Sequence, residues 1–303
     1  MSKPDSDSVC AIIVTFEPDL AALGSLLQRL DDECDFIVVD NGSSSYLALS
    51  TLTGGLGRCQ KFLRQEENLG LAAGLNVGIR WAINAGVYDN VLLFDQDSLI
   101  ENGFVAAMLA AMECGSRLSK RQVAAVGPRI VNPRSGRGMP FKLFDRLWRR
   151  SDRLLPASQR LYLADFLISS GTLIALRSLS GIGLMKEAYF IDNVDLEWCF
   201  RARAQGFQLL GTSQARLHHV IGEPGSSLPV RLGLMVEHSP LRSFYSTRNR
   251  AHLWRCDYAP WGWKLRDRPR FVLKALWLML FSNRRLEYWH NITSGLNAAG
   301  SMD

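Results

Sequence analysis

No Cys-x-x-Cys pair occurs in this chain. Its six cysteines (Cys10, Cys34, Cys59, Cys114, Cys199 and Cys256) are scattered through 303 residues. That spacing argues against structural zinc and against a disulfide scaffold, and it favours a reducing compartment. No GxGxxG follows the first apolar run, where Thr15-Phe16-Glu17-Pro18 stands instead. A hydride-transfer enzyme of the dinucleotide-binding type is therefore disfavoured. There is no low-complexity segment and no repeat at solenoid or propeller period. The opening residues, Met1 to Asp7, are polar and acidic, which is not the pattern of a secretory signal. The apolar run Phe271–Phe281 is eleven residues long, against roughly 20 for a spanning helix.

What is present is unevenly placed. Hydrophobic residues make up 47% of the chain, enough for a sizeable core. Net charge is +6, but residues 1–100 hold more acids than bases, while arginine accumulates from Arg146 onward. Such a bias points to an anionic partner: phosphates, nucleic acid or a membrane surface. Arg266, Arg268, Arg270, Arg284 and Arg285 flank the Phe271–Phe281 run, with Trp277 and Trp289 in or near it. Two readings stand for this segment. It is either an interfacial helix in peripheral contact with an anionic membrane, or a buried C-terminal helix with a solvated basic rim. Nucleic acid is disfavoured, because the basic residues coincide with a Trp-rich apolar tail and no recognised module is present.

Apolar patterning alternates strand and helix. Val9–Val14 reads as a buried strand, and Pro18 and Asp19 open a helix with Leu20, Leu23, Leu26, Leu27 and Leu30 on its apolar face. Asp35–Val39, residues 60–66 and Val91–Phe94 read as further strands, with a helix through Trp81 to Ala85 before the last. Val123–Gly127, Phe166–Ala175 (interrupted at Ser169-Ser170-Gly171) and Phe207–Leu210 extend the strand set, and Asp195–Gln205 reads as a helix. Residues 132–160 read as an ordered but mobile loop, and the chain turns helical and rich in Trp and Arg from Pro240. The spacing predicts an α/β fold: a single mixed, mostly parallel sheet flanked by helices, with a helical C-terminal extension. Ligands of such sheets bind beyond the strand C-termini, the edge to which Thr15, Asp40 and Asp95 are assigned.

Two acidic clusters follow apolar runs: Asp95-Gln96-Asp97 and Asp192-Asn193-Val194-Asp195-Leu196-Glu197. A strand end emerging from a core is a costly place for an unpaired carboxylate. Asp95 and Asp97 can share a hard divalent cation, Mg2+ or Mn2+, although Asp-x-Asp also occurs in plain strand-ending turns. His219, in Leu217–Gly222, can complete that metal shell, or it is structural. Asp40, followed by Asn41-Gly42-Ser43, can accept hydrogen bonds from a base or ribose, or it is an Asx turn. Asn68, Gly74 and Asn76 can order a loop around a nucleotide, or cap a helix. Asp192 and Asp195 lie near a helix start and can serve as a general base, or at least one belongs to a capping and ion-pair set with Glu197 and Arg201.

Taken together, these residues resemble glycosyltransferase family 2, the inverting GT-A sugar transferases. The carriers are Val39–Ser43, Glu67–Gly78 and Leu93–Ser98 in the family's order, within a match over roughly residues 9–255. The resemblance implies Asp40 near the nucleotide base, with Thr15, Asn41, Asn68, Gly74, Asn76 and Gln96 around the nucleotide sugar. It also implies Asp95 and Asp97 at the diphosphate and metal. A narrower similarity is to bacterial rhamnosyltransferases that use dTDP-L-rhamnose. It rests on Asp95–Ser98, Phe166–Gly171, Phe190–Glu197, His219–Gly222 and His238–Asn249. That similarity implies a donor of dTDP-L-rhamnose and a glycan or glycolipid acceptor, with lipopolysaccharide core or O-antigen ahead of rhamnolipid. It further implies a site in the cytoplasm, peripheral to the inner membrane's cytoplasmic face. Ser169, Ser170 and Gly171 would line the sugar or acceptor pocket, and Arg242 and Arg248 would hold acceptor-side or diphosphate charge. Many family members carry Glu-Asp where Asp192-Asn193 stands, and an amide cannot accept a proton. Asp192 is therefore expected as the base, ahead of Asp195. Expected boundaries are 1–235 for the catalytic domain (nucleotide half 9–100, acceptor half 120–235) and 236–303 for the extension. Alternative readings are a family member using UDP-galactofuranose, and a non-catalytic nucleotide-sugar or glycolipid binder.

Overall fold

The computed structural model describes residues 6–133, 136, 138–144, 155, 160–218 and 239–302. His219, part of the 132–160 loop and part of the expected acceptor half lie outside the described residues.

The first half is a run of strand–helix units. Strand β1 (Val9–Thr15) is followed by α1 (Leu20–Asp31), β2 (Asp35–Asp40), α2 (Tyr46–Gly54), β3 (Cys59–Arg64), α3 (Leu71–Ala85) and β4 (Asn90–Asp95). Every residue of β1 is buried, as a central strand covered on both faces must be. Alternate side chains feed different layers. Cys10, Ile12 and Val14 join the cluster beneath α3, while Val9, Ala11 and Ile13 join the one beneath α1. Helix α1 starts where the Asp19 carboxylate accepts the amide N–H groups of Ala21 and Ala22 at 2.9 and 3.0 Å, a side-chain cap. Leu23, Leu26, Leu27 and Leu30 are buried on it, whereas Leu20 is exposed. Helix α3 lies close on β1 because two glycines face it. A Cβ at Gly74 would stand 2.7 Å from Val14, and one at Gly78 2.3 Å from Ile12.

The second half continues with β5 (Leu99–Ile100), α4 (Phe104–Leu118), β6 (Val123–Val131), β7 (Leu161–Ala164), β8 (Leu173–Ala175), α5 (Leu176–Ile182), α6 (Val194–Ala204) and β9 (Gln208–His218). The sheet order is β3-β2-β1-β4-β8-β6-β9-β5, with β7 also on β9. β1, β2, β3, β4, β6 and β9 run one way, and β5, β7 and β8 run against them. The sheet is thus mixed and mostly parallel, as the spacing predicts. The expected Phe166–Ala175 strand is shorter than read: only Leu173–Ala175 is strand, and Phe166 makes an isolated bridge to Lys142.

Helices α7 (Pro240–Leu253), α8 (Trp261–Phe281) and α9 (Arg285–Ala298) complete the described chain. Leu253, Ala259 and Trp263 belong to the buried cluster that includes α6, and Trp263 meets Phe200 edge-on at 5.3 Å. The far ends of α8 and α9 share a small core of Ala275, Leu278, Tyr288 and Ile292. Among the described residues, no helix is long and apolar enough to cross a membrane.

Candidate active site

Chain order reverses between β1 and β4, since β2 and β3 lie to one side of β1 and β4 to the other. Open α/β sheets bind ligands at this switch point, beyond the strand C-termini. The register delivers the expected residues there. Thr15 pairs with Asp40, Val14 with Asp95, and Asp40 with Arg64. Asp40 is fully buried. Its carboxylate accepts the Thr15 hydroxyl at 3.2 Å and the Ser43 amide N–H at 3.2 Å. Beside it the Arg64 guanidinium lies 3.4 Å over the Tyr46 ring, a flat cation–π pair at the sheet edge. Asn41 and Asn68 form one device. The Asn41 amide donates to Asn68 Oδ1 (2.9 Å) and the Gly70 carbonyl (3.1 Å), and its oxygen accepts the Leu69 N–H. This bridge shapes the loop that enters α3.

Against the start of α3 lies a turn with unusual backbone, its Phe190 carbonyl accepting the Ala72 N–H at 3.3 Å. Phe190, Asp192 and Asn193 all have positive φ, at 62°, 63° and 59°. Each such non-glycine residue costs about 1–3 kcal/mol and persists only when its surroundings over-determine it. Helix α7 does so. The fully buried Asn249 amide donates to the carbonyls of Tyr189, Ile191 and Asp192 at 2.8, 2.8 and 2.9 Å. Arg248 donates to the Tyr189 carbonyl at 3.2 Å and to that of Ala188. The Phe190 ring stacks on Tyr245 with centroids 4.7 Å apart. Arg242 grips the Asp192 carboxylate with two nitrogens, Nε at 3.1 Å and Nη2 at 2.9 Å, a fork geometry that fixes orientation as well as charge.

The loop Ser169–Gly171 joins the two sides. Gly171 donates its N–H to Leu93 of β4 at 2.6 Å, and the buried Ser170 hydroxyl accepts the Asp95 N–H at 3.3 Å. Ser170 Oγ also lies 2.5 Å from Ser98 Oγ. Gly171 has φ +78°, and a Cβ there would stand 2.7 Å from Pro128, so only glycine closes this turn. Ser169 donates its N–H to Asp195 Oδ2 at 3.4 Å, and Leu196 donates its own to Oδ1 at 2.8 Å. Burial pushes the Asp195 carboxyl up to about 6. The two N–H donors oppose that rise, and the neighbouring charges of Asp95 and Asp192 add to it.

Several expected ligand residues have protein partners in this structure. Asn76 is buried; its amide donates to the Met185 carbonyl and Glu187, and its oxygen accepts the Met185 N–H. It ties α3 to the loop before the strained turn. Gly74 serves helix–sheet packing. Gln96 pairs with both backbone groups of Phe16, at 2.7 and 3.2 Å, and so bridges the ends of β4 and β1. Ser170 lies beneath the Asp95–Ser98 turn rather than on an open wall. Arg248 and Arg242 hold the strained turn. Asn249, Tyr245, Ser98 and the Arg64–Tyr46 pair are additions that the residue patterns did not assign. Asn249 and Tyr245 lie within the rhamnosyltransferase-like run His238–Asn249 and Ser98 within Asp95–Ser98, whereas Arg64 and Tyr46 carried no such signal.

Asp95 is half-buried and Asp97 exposed. Two carboxylates at a strand end suit a small hard cation that keeps its remaining positions for water and phosphate oxygens. No group of three or more His, Cys, Asp or Glu able to hold a metal occurs among the described residues. The pair fits a cation shared with a bound diphosphate.

A GT-A-type sheet with acidic groups at its switch point defines a glycosyltransferase. The match is borne out by known proteins. The chain belongs to glycosyl transferase family 2, whose model matches residues 20–171. It is 26% identical over 291 residues to the dTDP-rhamnosyl transferase RfbF of Shigella flexneri, covering 93% of this chain and 92% of that protein. It is 28% identical to the galactofuranosyltransferase GlfT1 of Mycobacterium tuberculosis, over 82% of each. Among solved structures, GalNAc-T7 with UDP, GalNAc and Mn2+ superposes with a TM-score of 0.57 at 17% identity. The match covers 86% of this chain and 50% of that one, and at this identity it speaks to fold alone.

Proposed function

We propose that this chain transfers L-rhamnose from dTDP-L-rhamnose to a hydroxyl of a cell-surface glycan or glycolipid, with inversion at the anomeric carbon. Lipopolysaccharide core and O-antigen are the favoured acceptors. The observation that carries the reading is the Asp192 turn. Strained backbone is retained there, four side chains of α7 hold it, and Asp192 and the sheet-edge Asp95 both neighbour Asp195. A rhamnosyl transferase relative aligned over nearly the whole length of both chains supports the donor.

In this mechanism Asp40, Thr15 and the Arg64–Tyr46 pair receive the nucleoside. Asp95 and Asp97 would hold Mg2+ or Mn2+, which when bound offsets the charge of the departing diphosphate. Asp192 takes the proton of the acceptor hydroxyl as that oxygen attacks the anomeric carbon, and dTDP leaves from the opposite face. General-base assistance contributes about 10²–10⁴ in rate. Arg242 holds the Asp192 carboxylate in place through its two hydrogen bonds. Asp195, whose two oxygens accept backbone N–H groups, anchors the Ser169 loop. The scattered free cysteines accord with the reducing conditions of the cytoplasm.

The test is release of dTDP from dTDP-L-rhamnose, with UDP- and GDP-sugars in parallel and with and without divalent cation, followed by NMR of the product anomer. Cation-dependent turnover with dTDP-L-rhamnose and an inverted product is the expected result. Turnover confined to UDP-galactofuranose would favour the second reading, which the galactofuranosyltransferase relative supports. A retained anomer would overturn the direct-displacement mechanism.

A further inference from the structure

The outer face of α8 has no function in the site described above. Leu265, Pro269, Val272, Leu273, Leu276 and Leu280 recur at helical spacing and are all exposed. Leu273 is 69% exposed and Leu280 59%. From Leu265 to Leu280 the stripe runs about 22 Å along the helix. The opposite face carries Ala275 and Leu278, which are buried against α9. Phe281 ends α8 at 69% exposure, and after the Ser282–Arg284 turn Leu286 and Trp289 follow on α9 at 80% and 57%. Isolated exposed leucines are ordinary on a protein surface, but a periodic stripe is not.

Charge decides what covers it. Residues 261–290 carry seven Lys or Arg against Asp267 and Glu287. Arg268, Arg270, Arg284 and Arg285 are exposed. On a helical projection Arg270 borders the stripe on one side and Arg268 on the other. A second copy of this chain would set arginines against arginines around an apolar centre, which is unfavourable. An apolar stripe bordered by arginine with aromatic residues at its ends matches the interfacial zone of an anionic bilayer.

We infer that α8 and the start of α9 form a membrane-docking face that lies in the headgroup region of anionic phospholipid, without spanning. The inference is independent of the donor assignment. It would bring the acceptor side of the cleft to the bilayer, because α7, which grips Asp192, packs on α9.

Flotation of the full chain with phosphatidylcholine vesicles, with and without phosphatidylglycerol, tests it. The unmodified chain is expected to float with the anionic vesicles and to be released by salt. Leu273→Glu with Leu280→Glu should cut partitioning at least about 10-fold, and Arg270→Glu with Arg285→Glu should abolish the anionic preference. All four positions are exposed, so circular dichroism and nucleotide binding should be unchanged in both variants. Failure of the unmodified chain to float, or equal flotation of the apolar variant, would overturn the inference. So would a dimer in sedimentation velocity that the Leu273→Glu, Leu280→Glu variant abolishes, because the face would then be a self-interface. None of these outcomes bears on donor turnover, which is read separately.

Discussion

Asp195 and Asn249 show how single residues serve the site at a cost. A carboxyl whose folded pKa is raised to about 6 from an ordinary 3.8 stabilises the fold fully below the unfolded value. That contribution is lost as pH rises through about 6. Asp195→Asn removes this dependence. Relative to the unmodified chain, the variant should gain stability between pH 4 and 7, by up to about 3 kcal/mol at neutral pH, less about 1 kcal/mol for one lost hydrogen bond. Denaturant titrations at the two pH values read the difference, and parallel pH profiles would contradict it. Asn249→Ala removes the Asn249 donor from the Tyr189, Ile191 and Asp192 carbonyls, leaving Tyr189 to Arg248. It should lower kcat by about 100-fold while donor affinity changes little, since in the proposed mechanism the lost interaction orients the base and does not touch the nucleotide. A proportional loss of donor affinity would instead place Asn249 in the nucleotide site. At this scale the sequence was a partial guide. Thr15, Asp40 and Asp95 were legible because they end apolar strands. The places of Asn76, Gln96 and Arg248 in the fold were not legible, because their partners are backbone carbonyls and amides supplied by distant segments, which no local pattern records.

Elements position these residues, and the close approach of α3 to β1 is one tight constraint among them. Gly78→Ala would place a Cβ 2.3 Å from Ile12 Cγ2. Pushing the helix outward should cost about 1–3 kcal/mol and disturb the Asn76 bridge to Met185. Thermal unfolding checks this, and an unchanged melting point would show that Ile12 can yield. The strands of the first half were readable from β-branched apolar runs, and α1 and α3 from their leucine and glycine spacing. Helices α2 and α4 were not assigned. Helix α4 buries Phe104, Val105, Met108, Leu109, Ala111, Met112 and Gly115, so its apolar surface is too broad to stand out as a stripe. Helix α2 is short and mixes Ser, Thr and Gly with its leucines. The two-residue β5 and four-residue β7 exist only through pairing with β9, a tertiary fact.

The whole molecule joins the switch-point edge of the sheet to a helical extension that holds the Asp192 turn. Alternating strands and helices made the sheet edge foreseeable. The grip of α7 on Asp192 was not, because Arg242 reaches across 50 residues of sequence. If the cation serves only the diphosphate, chelation should reduce turnover at least about 100-fold and leave the melting temperature of the donor-free chain unchanged. A large loss of melting temperature on chelation would mean the cation is structural. The account's central claim is that the clamped turn presents Asp192 as the base opposite the donor site. Its most direct test is Asp192→Asn, with turnover and donor affinity measured on one preparation. Loss of about 100-fold or more in turnover with near-unchanged donor affinity is the predicted result. A fully active Asp192→Asn enzyme would contradict it.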